Sequence, residues 1–307
     1  MGIDSIKNNE LAKQIIKNEL KNNKESGTYL IHGIKGANLF EFALNFSKGI
    51  LCNEIEHDYC DSCRVCINID KQVYSDLHII EGLDNSNISI SQIRDMISES
   101  YESAYEGDKK VFIIKNIHKT RKEVANAILK IIEEPPKNTY FILTSNSLNI
   151  LKTILSRCIT IKINTLNNEE LEVSKEIFDF FIGDNEDILE YKKGNYSLEE
   201  IYSYKDIDVV LDEYIENGKL ENKIKLLKSL DDYIKNKDFF SEIEKIEFIE
   251  KINSKIDKNR DILENMFYIL IIKNKTLKKL EFLLEIKSYI KSNVNITNIL
   301  YNFFLEY

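Results

Sequence analysis

Apolar positions follow two different periods along this chain, and the change between them divides it. From Tyr29 to Ile163, short apolar runs of the kind found in a buried sheet alternate with segments whose apolar residues recur every three or four positions. The runs Tyr29-Leu30-Ile31, Asp76–Ile80, Lys110–Asn116 and Thr139–Leu143 predict strands, and another apolar strand follows Arg157. Between them the pattern predicts helices at Glu41–Cys52, at Ser91–Ser100 capped by Ser89 or Ser91, and at Arg121–Glu134. In the last of these, Val124, Ile128, Ile131 and Ile132 share a face and Pro135-Pro136 ends the helix. A leading amphipathic helix is expected over Ile3–Asn22, with Ile6, Leu11, Ile15, Ile16 and Leu20 inward. Such alternation implies an α/β fold, a parallel doubly wound sheet of about five strands. From Asn167 the strand pattern stops. Asn168–Phe181 and Glu186–Tyr204 read as short helices broken at Gly183 and Gly194, a small helical unit. Beyond Gly218 the chain has neither glycine nor proline, and Leu226, Leu227, Leu230, Ile243, Ile246 and Ile249, then Leu280, Leu283 and Leu284, recur at helical intervals. A helical bundle with a final helix near Ile296–Leu305 is expected there.

The totals narrow the function. At 307 residues and 43% apolar content the chain can form two or three domains, and its net charge of -9 weighs against a protein that coats nucleic acid by itself. Met1–Asn23 lacks an apolar run of signal length and no window approaches a bilayer span, so a cytoplasmic protein with no membrane partner is expected. In that compartment the four cysteines crowded between Cys52 and Cys66 point to a metal rather than to disulfides.

Candidate chemistry lies in three places: a strand-to-helix turn with the neighbouring strand ends, a cysteine cluster and one arginine. The turn His32–Phe40 lies between a predicted strand and a predicted helix, where a phosphate-binding loop would sit. It keeps Gly33 and Gly36, but Asn38, Leu39 and Phe40 stand where the pattern requires glycine, lysine and a hydroxyl. Without the lysine nothing reaches the β- and γ-phosphates, and without the hydroxyl a magnesium ligand is lost. An ordinary strand-to-helix turn that binds nothing explains the stretch as well; on either reading it does not hydrolyse ATP. The apolar run Lys110–Asn116 ends in Lys115 and Asn116, where a working ATPase would carry an acidic pair, and His118 just beyond reads as a hydrogen-bonded turn residue. Thr144, Ser145 and Asn146 follow a strand, a place suited equally to a phosphate or to a turn.

Cys52, Cys60, Cys63 and Cys66, with gaps of seven, two and two residues, can close around one zinc ion. His57 could replace one sulfur, but four already make a closed, structural site. Arg157 is the third candidate. In a chain that writes its positive charge almost entirely with lysine, an arginine in Ser156-Arg157-Cys158 offers an always-charged planar fork suited to phosphate. Cys158 reads as a packing residue.

These residues together resemble the bacterial clamp-loader AAA+ family, and within it the delta prime subunits of DNA polymerase III. The resemblance is densest in the degenerate loop after Tyr29, the four cysteines, the segment ILKIIEEPPKNTYFILTS, the segment ILSRC, and the closing KSNVNITNILYNFFLEY. The gamma and tau motor subunits of that family share the zinc loop and this pattern but keep intact phosphate loops and acidic pairs. The resemblance implies an AAA+ domain over 1–165 with its zinc loop at 52–66, a helical lid over 166–205 and a collar domain over 206–307. It further implies a non-hydrolysing stator. Arg157 would serve in trans as an arginine finger, directed at ATP held by a neighbouring motor subunit, within a complex with gamma/tau and delta that loads the sliding clamp on primed DNA. The chain has no arginine between Arg157 and Arg260, and Ser197 falls near the place of the lid arginine that senses nucleotide in motor subunits. Two other readings remain. One is an autonomous AAA+ ATPase with an atypical loop, whose only basic residue is Lys35. The other is a stand-alone zinc module that binds nucleic acid.

Overall fold

Five strands, β1 (Gly27–Gly33), β2 (Leu77–Ile80), β3 (Lys110–Ile114), β4 (Thr139–Ser145) and β5 (Ile159–Ile163), pair in parallel in the order β2-β3-β4-β1-β5. The computed structural model describes residues 2–82, 87–236, 239–256, 266 and 295–306. Successive side chains of a strand point to opposite faces, so an unbroken apolar run needs cover on both. Tyr29, Ile31, Val111, Ile113, Tyr140, Ile142, Ile161 and Ile163 join one core cluster, whereas Leu30, Phe112, Ile114, Phe141 and Leu143 join a second. The first is covered by α1 (Glu10–Lys21), α2 (Leu39–Leu51) and α3 (Arg64–Asp70), through Ile16, Phe42, Phe46 and Ile69. The second is covered by α4 (Ile90–Ser100) and α5 (Lys122–Glu133), through Ile93, Met96, Val124, Ile128 and Ile132. The α/β doubly wound sheet expected from the strand pattern is therefore present.

Local chemistry moves several boundaries. The helix expected over Ile3–Asn22 is two elements, a single 3-10 turn at Ile3–Ser5 and then α1. Asn8 and Asn9 take left-handed φ angles of 55° and 63°, which asparagine tolerates, and so break the helix. The Asn9 side chain accepts from the Asn164 amide at 2.7 Å, while the Asp58 carboxylate accepts from the Ile3 amide at 2.8 Å. These long-range ties outweigh the helical period. Leu11, expected on the inward face, is 71% exposed. Ser89 rather than Ser91 caps α4, in a reciprocal box with Gln92. Asp76 lies outside β2 and accepts amide bonds from Tyr105, Glu106 and Gly107.

The described residues form two units, one of residues up to Ser174 with Gly183–Glu186, the other of Lys175–Ile182 and the described residues from Asp187 onward. The first unit also contains α6 (Lys152–Leu155), and α7 (Lys175–Phe180) begins the second. The short helix α8 (Asn185–Lys193) is followed by Gly194. The remaining helices of the second unit are α9 (Ile207–Asn217), α10 (Leu220–Asn236), α11 (Glu242–Ile256) and Ile296–Glu306. Gly218 ends α9 at a φ of 60°, its amide bonded to the Tyr214 carbonyl. Tyr233 stacks on Phe248 with centroids 4.0 Å apart, and Phe304 meets both rings edge-on. On α11 it is Phe248, Ile249 and Ile252 that are buried, while Ile243, expected inward, is 69% exposed. Leu280, Leu283 and Leu284 lie outside the described residues, as does Arg260. Among the described residues no helix is long and apolar enough to cross a membrane.

Candidate functional site

In an open parallel sheet, ligands bind beyond the carboxyl ends of the strands. At that end of β1 the turn Gly33–Asn38 leads into α2. A β-carbon on Gly33 would lie 2.5 Å from the carbonyl oxygen of Ile163, so the close approach of β5 demands glycine. Gly36 has a φ of +89°, and its carbonyl accepts the Asn185 amide at 2.9 Å. The residues that replace the phosphate-binding set are put to other uses. Leu39 is buried in the core. The ring of Phe40 packs under the Lys115 ammonium, 4.4 Å from the centroid, and Lys115 also pairs with Glu81 at 2.5 Å. Asn38 caps α2 by accepting from the Glu41 amide, and its own amide donates to the Glu41 carboxylate. A helix N-terminus attracts phosphate through free amides and a positive dipole end. Here one amide is taken and an acidic side chain stands in the first turn.

The polar residues at neighbouring strand ends are also satisfied within the chain. Thr144 Oγ1 accepts from the Asn116 amide at 3.2 Å, Ser145 Oγ bonds His118 Nδ1 at 3.2 Å and the Ser147 carbonyl, and Asn146 donates to the Ile34 carbonyl at 3.2 Å. They behave as turn residues. Ser197 accepts from the Glu199 amide at 3.2 Å.

Four sulfurs converge elsewhere, between the end of α2 and the start of α3. The Sγ atoms of Cys52, Cys60, Cys63 and Cys66 all lie within 4.8 Å of one another, with Cys52 to Cys60 at 3.8 Å and Cys60 to Cys66 at 4.0 Å. A zinc tetrahedron with bonds near 2.3 Å has edges of about 3.8 Å, so the donor set fits and could hold a metal such as zinc. Amides of Cys63 and Cys66 donate to the sulfurs of Cys60 and Cys63 at 3.3 and 3.4 Å, as suits thiolates. The Ser62 amide, with its hydroxyl, pulls the Cys60 thiol down to about 6, whereas burial pushes that of Cys66 up. A bound cation would draw all four cysteines to the thiolate form and offset their mutual repulsion. His57 points its Nδ1 at the Leu20 carbonyl, 3.0 Å away, and is not among the converging donors. A feature invisible in the cysteine spacing braces this loop. Lys48, buried on α2, pairs with Asp61 at 3.0 Å and Asp70 at 2.7 Å, its ammonium 5.2 Å from the centre of the Tyr59 ring.

Arg157 follows α6 and precedes β5 by two residues. Parallel register pairs Ile159 with Tyr29 and Ile163 with Gly33. Four strand residues, roughly 13 Å of rise, therefore separate the level at which the chain enters β5 from that of Gly33. The arginine stands at the amino end of the sheet and the glycine turn at the carboxyl end. Its guanidinium donates to the Glu133 carboxylate at 2.9 Å and to the Thr153 carbonyl at 3.1 Å, while its Nε is buried without a partner among the described residues. Cys158 packs against the second core cluster, and burial pushes its thiol up to about 12, which fits packing rather than nucleophilic chemistry.

Residues 8–167 match the family described as "DNA polymerase III, delta subunit". The chain is 33% identical over 168 residues to the DNA polymerase III subunit delta' of Bacillus subtilis, covering 53% of this chain and 51% of that protein. It is 29% identical over 211 residues to the delta' subunit of Buchnera aphidicola from Schizaphis graminum, covering 68% and 61%. A Buchnera DNA polymerase III subunit gamma is 30% identical over 158 residues, 51% of this chain and 43% of that one. The chain thus matches about half to three-fifths of the length of these two delta' relatives. Among solved structures, a DNA polymerase III gamma subunit-related protein from Thermotoga maritima superposes with a TM-score of 0.63 at 19% identity, over 95% of this chain and 97% of that one. At that identity the likeness concerns the fold.

Proposed function

The chain belongs to the DNA polymerase III delta-subunit family, and on that premise we propose that it is a stator, a subunit of a clamp loader that binds no ATP of its own and acts on ATP held by a neighbour. The observation that carries this reading is the separation of the two halves of an ATP site. Arg157 is at the amino end of the sheet while the glycine turn is at the carboxyl end, so the arginine has no phosphate to serve in its own subunit. The turn itself offers Leu39 and Phe40 in place of cation and hydroxyl, and Lys115 in place of a magnesium ligand. Arg157 then acts in trans as an arginine finger, stabilising charge on a γ-phosphate, a contribution on the order of 10³ to 10⁵ in rate at such sites.

In this reading residues 1–165 are the AAA+ domain, 166–205 a helical lid and 206–307 the collar through which subunits join. Zinc is held by Cys52, Cys60, Cys63 and Cys66 as a structural ion that clamps the loop against α2 and α3. The partners are gamma/tau motor subunits and delta, and through them the sliding clamp and primed DNA, all in the cytoplasm.

The test is reconstitution with the motor and delta subunits of the same organism. Arg157→Ala should leave assembly intact and abolish the clamp- and DNA-stimulated ATPase at the site it faces. Full turnover in that variant would sink the finger. The isolated chain should bind no ATP with magnesium by calorimetry. Tight binding there would favour an autonomous ATPase instead.

A further inference from the structure

The contact between Arg157 and Glu133 is the one feature of the candidate finger that its trans role leaves unexplained. Glu133 is the last residue of α5 and more than half exposed. Carbonyls crowd a helix C-terminus, which favours a cation there and disfavours a carboxylate. Glu133 therefore gains nothing from its own helix, and its described partner is the guanidinium. That pairing is also incomplete. One terminal nitrogen reaches one carboxylate oxygen at 2.9 Å, the other reaches the Thr153 carbonyl at 3.1 Å, and Nε is buried with no acceptor among the described residues. An arginine fork matched to a phosphate can present two parallel N–H groups. Here the fork is held but not filled.

We propose that Glu133 is a displaceable partner in cis: it holds the Arg157 guanidinium on its own subunit while the neighbouring ATP site is empty, and a γ-phosphate bound there takes the guanidinium over. The proposal rests on the finger reading. A single contact to a carboxylate that is itself open to water is weak, so exchange for a phosphate is favourable and reversible. Glu133 is on this account a positioning residue that sets how readily the finger is released, without touching nucleotide.

Kinetics of the reconstituted complex test this. Glu133→Gln and Glu133→Ala should lower the apparent KM for ATP by roughly two- to five-fold, the range of one exposed ion pair, with kcat at saturating ATP unchanged. A non-hydrolysable ATP analogue should bind tighter by the same factor. Glu134→Gln, which removes the adjacent exposed charge, should change neither, and this separates release of Arg157 from a general field effect. Melting temperatures of the variants should match the parent, since a helix end loses an unfavourable charge. An unchanged or raised KM, or a lowered kcat, would overturn the proposal. Arg157→Ala in the same assay keeps the two readings apart. If it leaves turnover intact, the finger fails and the latch with it; if it abolishes turnover while the Glu133 variants keep the parental KM, only the latch fails.

Discussion

Replacing Lys48 by methionine tests how the four-cysteine loop is held. The Lys48 side chain is 5% exposed and bridges α2 to Asp61, between two of the cysteines, and to Asp70 at the end of α3. Burial works against its charge, but hydrogen bonds to Asp70 and Asp61 outweigh that and raise its pKa, so the ammonium persists at neutral pH. Methionine keeps the apolar stem and removes the charge. Breaking a fully buried pair costs about 3–5 kcal/mol. Asp70, at 53% exposed, regains water and its share falls to that of a surface pair, while Asp61, at 29%, regains only part. A loss of about 2 kcal/mol is therefore expected, which at a slope of about 1–3 kcal/mol per molar urea shifts the midpoint by roughly 1 M. Because Asp61 lies between Cys60 and Cys63, zinc affinity should also fall about ten-fold, the lower range for outer-shell changes. Urea denaturation followed by circular dichroism, and zinc competition against a chromophoric chelator, measure the two effects. Lys17→Met, at a lysine paired with the exposed Asp4, is the control and should move neither. A Lys48→Met protein with parental midpoint and parental zinc affinity would refute the idea that the triad braces the loop.

Other outcomes follow from the same geometry. His78 stacks on Phe112 at 4.6 Å with Nε2 buried and unpartnered among the described residues, and burial depresses its pKa. The unfolded chain then takes up the proton first, so stability should fall as pH drops below about 6.5. His78→Phe should flatten the urea midpoint between pH 7.5 and pH 5.5 relative to the parent. Gly33→Ala puts a methyl 2.5 Å from the Ile163 carbonyl oxygen, and a loss of about 1–3 kcal/mol should appear in thermal melting. Asn38→Ala removes the cap of α2 and should cost about 1 kcal/mol by the same measure, with ATP binding still absent by calorimetry. Stripping metal with a strong chelator should release one zinc and expose four thiols to a thiol reagent, and a parental melting temperature after removal would deny the ion a structural role.

Much of this protein is decided within short stretches. Apolar runs alternating with helical periods specify a sheet buried on both faces, because a parallel strand has no solvated side on which to place a polar residue. Cysteines two residues apart lie close on any compact loop, so a sulfur cluster that could hold a metal is legible in the spacing of Cys60, Cys63 and Cys66, with Cys52 joining it from the end of α2. The departures of Asn38, Leu39 and Phe40 from the phosphate-loop pattern, and of Lys115 from an acidic pair, are equally local, since each is read at a fixed offset along the chain. What the sequence left open are partners chosen across the fold. Leu39 becomes core and Phe40 becomes a seat for Lys115, 75 residues away. Asn8 and Asn9 break a helix that periodicity favoured, because Asn164 and Asp58 hold the chain elsewhere. Lys48 finds two aspartates across the cysteine loop, and Arg157 finds Glu133, 24 residues back, at the foot of α5. Above all, strand register puts Arg157 at one end of the sheet and the glycine turn at the other. Neither residue carries that fact, because it belongs to the hydrogen-bonded pairing of β1 with β5.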